Sequence, residues 1–300
     1  MNGWIILDKP LGLTSAQAVG AVKRVCREAG LGKVKVGHGG TLDPLASGVL
    51  PIALGEATKL TGRMLDASKV YHFSLSFGTE TAGLDAEGAV VAVSEVRPTL
   101  REIAAVLPRF IGDIEQVPPA FSAIKIDGER AYDRARKGEL FEMKARGVTI
   151  YGLDIQEEEA REGEVLEELT FTAHVSKGTY IRSLARDIAH AVGTVGHVTM
   201  LRRAKAGPFT LGDAISLDKL NAFGQGAAQS EIILPLEAGL VDIPALDLSP
   251  EAAGAIRQGR VWSGVSTHDG LYWGQDGERR PIALIEVSAG TLKVVRGFNL

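Results

Sequence analysis

Apolar positions recur along the chain with two different periods, and these periods predict both strands and helices. Residues 69–78, KVYHFSLSFG, place an apolar side chain at every second position, which predicts a strand whose buried face begins at Tyr71. Residues 15–27 instead repeat apolar positions every three or four residues, which predicts a helix that Ser15 can cap and Gly30 ends. The helical period returns over residues 179–192, with Arg182 beside the apolar stripe.

Short apolar runs and turn residues divide the remaining sequence. Further strands are predicted for residues 4–7, 49–54, 89–93, 148–155 and 169–175, and further helices for residues 57–65 and 99–110. After about residue 240, four short β-type runs alternate with turns that contain Gly and Asp, which is typical of a small β-rich module. We therefore predict an α/β fold with a mixed sheet over residues 1–238, followed by a β-rich domain over residues 239–300.

Composition limits the classes of protein that the chain can represent. The chain is 45% hydrophobic and 23% charged, as in ordinary globular domains, and no apolar run approaches the ~18 residues of a membrane span. The N-terminal residues lack the basic start of a signal peptide, so a cytoplasmic location without membrane contact is expected. The single cysteine, Cys26, excludes an internal disulfide, and the histidines lack metal-binding spacing, so no metal is expected.

The distribution of charge, more than the net charge of −4, indicates a polyanionic partner. Residues 154–168 carry eight acidic side chains against one arginine, whereas residues 176–205 carry six basic side chains against one aspartate. Such a basic segment can hold nucleic acid on one face of an acidic protein. A solvated acidic hairpin beside an ordinary basic helix explains the same pattern. Charge alone leaves both interpretations open.

Residues 36–55, VGHGGTLDPLASGVLPIALG, form a glycine-rich segment with a single carboxylate, that of Asp43. The segment lacks the G-K-[ST] element of a phosphate-binding P-loop. Pro44 keeps Asp43 out of the helical backbone region, and the glycines allow a bulky ligand to approach the backbone closely. Asp43 is therefore either a turn-forming or helix-capping residue, or a carboxylate presented for nucleophilic or acid–base chemistry.

This loop resembles the signature G-H-x-G-x-L-D-P-x-A-[ST]-G of the TruB family of tRNA pseudouridine synthases, in which the aspartate is catalytic. Five further segments are similar to blocks of that family in the same order: residues 6–15, 69–78, 116–138, 176–188 and 197–203. The C-terminal part resembles a PUA domain, an RNA-binding module often appended to these enzymes. The resemblance implies a pseudouridine synthase fold and isomerisation of uridine to pseudouridine in the T-loop of tRNA, position 55, without a cofactor.

The resemblance also implies roles for individual residues. Asp43 matches the aspartate that attacks the target nucleotide, Tyr71 the tyrosine that stacks on the uracil, and Arg182 the arginine paired with the aspartate. His38 matches a histidine that takes the place of the flipped-out base in the RNA stack. Leu201 matches an apolar residue of the base pocket. The remaining candidates for substrate binding are Tyr180 and three expected phosphate contacts, Lys177, Arg202 and Arg203.

Other interpretations stay open beside this one. A tRNA-binding or tRNA-folding factor that acts without catalysis would use the same surface. A uridine C5-methyltransferase would need a cysteine nucleophile, and Cys26 on a buried helix stripe is poorly placed for that. Tyr71 has an ordinary alternative as a core residue, and Arg182 has one as a surface helix residue. The expected partner is the T-arm of tRNA, and the expected state is a monomer.

One segment departs from the family pattern. The family often has a threonine-rich T-[DN]-T-x-D-x-x-G after the tyrosine strand, and residues 81–88 read TAGLDAEG instead. Asp85 and Gly88 match that pattern, but its middle acid and second threonine are missing. Whether this loop makes RNA or structural contacts is therefore open from the sequence.

Overall fold

The computed structural model describes residues 1–139, 141–156, 163–224 and 232–300. Its strands are β1 (Gly3–Lys9), β2 (Val36–His38), β3 (Ala46–Leu54), β4 (Lys69–Phe77), β5 (Thr79–Thr81), β6 (Val90–Val93), β7 (Gly112–Gln116), β8 (Lys125–Ile126), β9 (Glu129–Arg130), β10 (Arg146–Ile155), β11 (Glu168–Val175), β12 (Gly196–Ala206), β13 (Phe209–Thr210), β14 (Ala245–Asp247), β15 (Trp262–Ser263), β16 (Gly270–Gln275), β17 (Pro281–Ser288) and β18 (Thr291–Gly297). Its α-helices are α1 (Ser15–Glu28), α2 (Thr61–Asp66), α3 (Leu100–Val106), α4 (Ala131–Arg136), α5 (Ile181–Ala191), α6 (Leu217–Gly224) and α7 (Pro250–Arg257). Short 3₁₀ helices cover Gly55–Leu60, Leu107–Phe110, Leu211–Asp213 and Leu236–Gly239.

The chain divides into two compact units that are not contiguous in sequence. The first comprises Met1–Asp43, Gly48–Leu65 and Ala206–Leu300, and the second comprises Pro44–Ser47 and Asp66–Lys205. The predicted acidic hairpin falls partly on residues 157–162, which lie outside the described residues. In the part of the chain that the structure describes, no helix is long and apolar enough to cross a membrane.

The second unit is built on a sheet in the order β12-β4-β11-β10-β7. Strands β4, β11, β10 and β7 pair antiparallel. The predicted alternation in β4 is confirmed, because Phe73, Leu75 and Phe77 are at most 2% exposed and belong to one core. Helices α3 and α5 contribute to the same core through Ile103 and Leu184, among others. The unit is thus a layer of helices on one face of a sheet.

The first unit contains the N-terminal strands and a separate β-rich sheet. Strand β3 pairs antiparallel with both β1 and β2. The C-terminal strands form a five-stranded sheet in the order β14-β16-β17-β18-β15, with β14 and β16 parallel. This architecture confirms the predicted fold class, a mixed α/β core with a small β-rich C-terminal part. The domain boundary between residues 238 and 239 stays a prediction.

Helix α1 starts one residue earlier than the sequence indicated. Thr14, not Ser15, is the N-cap: its side chain accepts a hydrogen bond from Gln17 N, and the Gln17 side chain accepts one from Thr14 N, which completes a capping box. The buried face of the helix includes Ala18, Val22 and Cys26, so the core position predicted for Cys26 is confirmed. Ser15 is only 3% exposed, and its hydroxyl is not used to cap the helix.

Candidate active site

Asp43 lies half-buried at the end of the loop between β2 and β3. Gly39 N donates to the carbonyl of Pro51 at 2.8 Å, which ties the start of the loop to β3. Residues 44 and 45 form a turn that leads directly into β3 at Ala46, and no helix begins at Pro44. The helix-cap interpretation of Asp43 is therefore wrong, and the carboxylate stands in an irregular loop between two paired strands.

The Ser15 hydroxyl holds the residue before Asp43. Its Oγ accepts a hydrogen bond from Leu42 N at 2.8 Å and donates one to Leu42 O at 3.1 Å. Both residues are buried, with 3% and 4% of their surfaces exposed. Sequence reasoning missed this contact, because 27 residues separate its partners.

The loop between β2 and β3 packs closely against its neighbours at His38 and Gly39. His38 ends β2, opposite Ile52 of β3, and its Nδ1 lies 3.4 Å from Gly40 N. A Cβ on Gly39 would lie 2.5 Å from Cβ of Met64, so the loop packs against α2 at a distance that only glycine allows. At this position the close approach predicted for a ligand is made by the protein itself.

Tyr71 and Leu201 border the core of the second unit. Tyr71 lies on β4 opposite Ala173, and both Tyr71 and Leu201 are partly buried against that core. Two positions along β4, Phe73 stacks on Phe171 with ring centroids 5.1 Å apart. Part of the Tyr71 side chain is therefore fixed by packing, and the rest stays accessible. This arrangement suits a ring that is held in place and still presents a face to a ligand.

Arg182 is a buried arginine, and its interpretation as an ordinary surface residue is wrong. It lies in the first turn of α5 and is 6% exposed. Nη1 donates to the carbonyl of Gly83 at 2.7 Å and to Oδ2 of Asp85 at 3.0 Å, and Nη2 donates to the carbonyl of Phe121 at 3.0 Å. Three acceptors at this burial fix the plane of the guanidinium, as a fork of rigid donors allows.

Asp85, which the sequence marked only as a match to the family pattern, is the ion-pair partner of Arg182. Its carboxylate pairs with Arg182, and its backbone carbonyl accepts a hydrogen bond from Thr81 Oγ1 at 2.6 Å. The side chain of Asp85 is 21% exposed, against 7% for Arg182. The loop of residues 81–88 thus makes a structural contact through the acid that it shares with the family pattern.

Tyr180 is held at the start of α5 by a buried amide. Gln116, which is 0% exposed, accepts from Tyr180 N at 2.8 Å and donates from Nε2 to Tyr180 O at 3.1 Å. The guanidinium of Arg146 stacks on the Tyr180 ring, 4.7 Å from its centroid. Tyr180 is therefore fixed through its backbone and covered by a cation on its ring. Sequence reasoning missed both Gln116 and Arg146.

The three predicted phosphate contacts differ in their exposure. Lys177 is exposed, and its Nζ pairs with Asp66 at 2.9 Å. Arg202 is half-buried, and its Nη1 donates to Ser47 Oγ at 3.3 Å. Arg203 is only 1% exposed, so it does not present its guanidinium to solvent. We therefore remove Arg203 from the set of expected phosphate contacts and retain Lys177 and Arg202.

Arg203 acts instead on a neighbouring lysine. Burial of Lys69, together with the positive charge of Arg203, lowers the pKa of the Lys69 ammonium from 10.5 to about 8. Lys69 Nζ donates to the carbonyl of Ala67 at 2.6 Å. Two buried cations thus lie at the start of the strand that carries Tyr71. Among the residues that the structure describes, no group of three or more His, Cys, Asp or Glu side chains could hold a metal ion.

Comparison with known proteins identifies close relatives over the whole chain. tRNA pseudouridine synthase B of Novosphingobium aromaticivorans is 65% identical over 300 residues, which cover 100% of this chain and 98% of the relative. The protein of the same name from Zymomonas mobilis is 54% identical over 299 residues, which cover 100% of this chain and 96% of that relative. That from Caulobacter vibrioides is 43% identical over 311 residues.

Solved structures agree with the fold. The Cbf5-Nop10-Gar1 complex contains a chain with a TM-score of 0.70 and 26% identity, which covers 99% of this chain and 84% of that chain. An H/ACA RNP bound to a substrate RNA with 2'-deoxyuridine gives a TM-score of 0.72 at 24% identity. The TruB family pseudouridylate synthase N-terminal domain matches residues 27–181, and the tRNA pseudouridylate synthase B C-terminal domain matches residues 182–241. The chain therefore belongs to the TruB family of pseudouridylate synthases.

Proposed function

We propose that the protein isomerises uridine to pseudouridine in tRNA, at position 55 of the T-loop, with Asp43 as the catalytic carboxylate. The observation that carries this proposal is the presentation of Asp43. The residue is half-buried in a loop that Gly39 and Leu42 tie to the rest of the first unit. Relatives named tRNA pseudouridine synthase B support tRNA as the substrate.

The reaction needs no group beyond those the chain supplies. Isomerisation breaks the glycosidic C–N bond of uridine, turns the base and forms a C–C bond, so no electrons or groups are transferred to or from a cofactor. A single ionised carboxylate is enough to engage the sugar or the base. In this proposal Arg182 pairs with Asp43 and orients its carboxylate through the planar fork of the guanidinium.

The target base has to leave the RNA stack before it can react. Extrusion costs a few kcal/mol, and stacking on an aromatic ring returns ~1–3 kcal/mol. We assign that ring to Tyr71, whose packing on the core holds it in place. His38 takes the place of the extruded base, and Leu201 lines the pocket for it. Tyr180, Lys177 and Arg202 bind the flanking nucleotides.

The C-terminal sheet is proposed to be a PUA-like RNA-binding domain. Five exposed cations lie on this sheet or in its connections: Lys293 and Arg296 on β18, and Arg260, Arg279 and Arg280 outside the strands. Phosphate contacts of this kind release counterions, so the affinity for tRNA should fall steeply as salt is raised. The T-arm is the proposed partner, and the bacterial relatives support a proposed cytoplasmic location. We also propose that the protein acts as a monomer.

The position of the modified uridine tests the proposal directly. An unmodified tRNA transcript is incubated with the protein, treated with a carbodiimide that marks pseudouridine, and read by reverse transcription. A single stop at the T-loop uridine is expected, and a transcript with cytidine at that position should give none. Stops elsewhere would overturn the assignment of the T-loop. Tight binding without any stop would favour a tRNA-binding factor that acts without catalysis.

A further inference from the structure

We propose that Ser15 is a positioning residue for the reaction: its hydroxyl clamps the peptide groups on both sides of Leu42 and thereby orients Asp43. This inference rests on the proposed function, because it assumes that Asp43 is the reacting carboxylate. It concerns a residue that does not touch substrate. Ser15 and Asp43 both lie in the first unit, and the contacts that connect them lie there too.

The clamp uses the Ser15 hydroxyl both as a hydrogen-bond donor and as a hydrogen-bond acceptor. The hydroxyl accepts from Leu42 N at 2.8 Å and donates to Leu42 O at 3.1 Å. One oxygen can satisfy both groups only if the N–H and the C=O of residue 42 face it together. The clamp therefore fixes the backbone torsions of Leu42, not merely its distance from α1.

Fixing Leu42 fixes the approach to Asp43. The carbonyl of Leu42 belongs to the planar peptide group that ends at the Cα of Asp43. On the other side, the ring of Pro44 restrains its own φ and keeps Asp43 out of the helical region. The backbone of Asp43 is thus held between a clamped peptide and a proline, in a loop whose glycines offer little restraint of their own.

Ser15 is itself held in place. It is the first residue of α1, between Thr14 and Gln17 of the capping box, and 3% of its surface is exposed. The helix behind it buries Ala18 and Val22 in the first unit. A hydroxyl on a capped, packed helix is a rigid anchor, whereas water on a glycine-rich loop would not be. Preorganisation of this kind is what a supporting residue contributes to a reacting group.

The test compares Ser15→Thr with Ser15→Val, which have nearly the same shape and differ in the hydroxyl. Single-turnover pseudouridine formation is measured with saturating protein over tRNA transcript. The rate constant should fall on the order of 10–100-fold from Thr to Val, as misplacement of a reacting group does, and the Kd for tRNA should not change. Because this rate constant does not depend on the folded fraction, loss of stability cannot imitate the result. Equal rate constants for Thr and Val would overturn the clamp.

A second pair covers the case in which Ser15→Val does not fold. Ser15→Ala removes the clamp, and Thr14→Ala removes the N-cap bond of the same helix without touching Leu42. Slow turnover in the first with normal turnover in the second supports the clamp, and equal rates overturn it. Wild-type protein and Asp43→Asn are run in parallel. An inactive wild type or an active Asp43→Asn would refute the proposed function itself, which separates the two failures.

Discussion

Replacing Asp85 by asparagine removes one charge from a buried ion pair and keeps the size of the side chain. In the wild-type protein Arg182 Nη1 lies 3.0 Å from Asp85 Oδ2, with the side chains 7% and 21% exposed. Two unit charges about 4 Å apart attract by about 4 kcal/mol at an effective dielectric constant of 20. Asparagine retains an acceptor, and the carbonyls of Gly83 and Phe121 still accept from Arg182. We therefore expect a smaller loss, about 2 kcal/mol of unfolding free energy.

Urea unfolding at neutral pH measures this loss, and an exposed ion pair provides the matched control. Arg97 and Glu167 lie 2.6 Å apart, closer than the buried pair, but the side chain of Glu167 is 77% exposed. Glu167→Gln should therefore cost less than about 1 kcal/mol, because water screens the pair. Equal costs for the two substitutions would show that burial is not what makes the Asp85–Arg182 pair strong.

Three further predictions concern contacts within each of the two units. Gly39→Ala should lower the unfolding free energy measured in urea by about 1–3 kcal/mol, because the added Cβ overlaps α2. Gly37→Ala is the control, since its Cβ would lie 3.9 Å from the nearest atom and should cost little. Equal losses in the two variants would show that close packing against α2 is not what requires glycine at position 39. Gln116→Ala should weaken tRNA binding in a filter assay by releasing Tyr180, and an unchanged Kd would exclude Tyr180 as an RNA contact. Between its folded pKa of about 8 and the ordinary 10.5, Lys69 binds its proton only in the unfolded chain. The wild type should thus gain stability relative to Lys69→Met as pH rises from 8 to 10, and a flat difference would contradict it.

Hydrophobic periodicity predicts the strands and helices that bury one face against a single core. The strand at residues 69–78 and the helix at residues 179–192 appear as β4 and α5, because each has one face on a single core. Strand β12 was not predicted, since Arg202 and Arg203 interrupt its alternation and the second of them is buried. Helix α7 was not predicted either, because its eight residues stand among turns and short strands. A short amphipathic helix among strands carries too few apolar positions to show its period.

The residues of the candidate site also fall into two groups, those that motifs reveal and those that only the structure reveals. Asp43, Tyr71 and Arg182 are recognisable from motifs, because the motifs are contiguous in sequence. Their supports are not: Ser15 reaches Leu42 across 27 residues, and Gln116 reaches Tyr180 across 64. Contacts of this kind depend on how distant elements pack, and no local pattern of residue types encodes them. The same limit applies to Arg203. Its charge suggested a phosphate contact, but the side chain is buried.

Asp43 is proposed to carry out the isomerisation of uridine in tRNA, and release of tritium from C5 reports on that reaction itself. Unmodified tRNA transcript labelled with tritium at C5 of uridine is incubated with wild-type protein and with Asp43→Asn, without added cofactor. The wild type should release one tritium per tRNA and the variant none, with tRNA binding retained in both. Release by Asp43→Asn at the wild-type rate would contradict that role of Asp43.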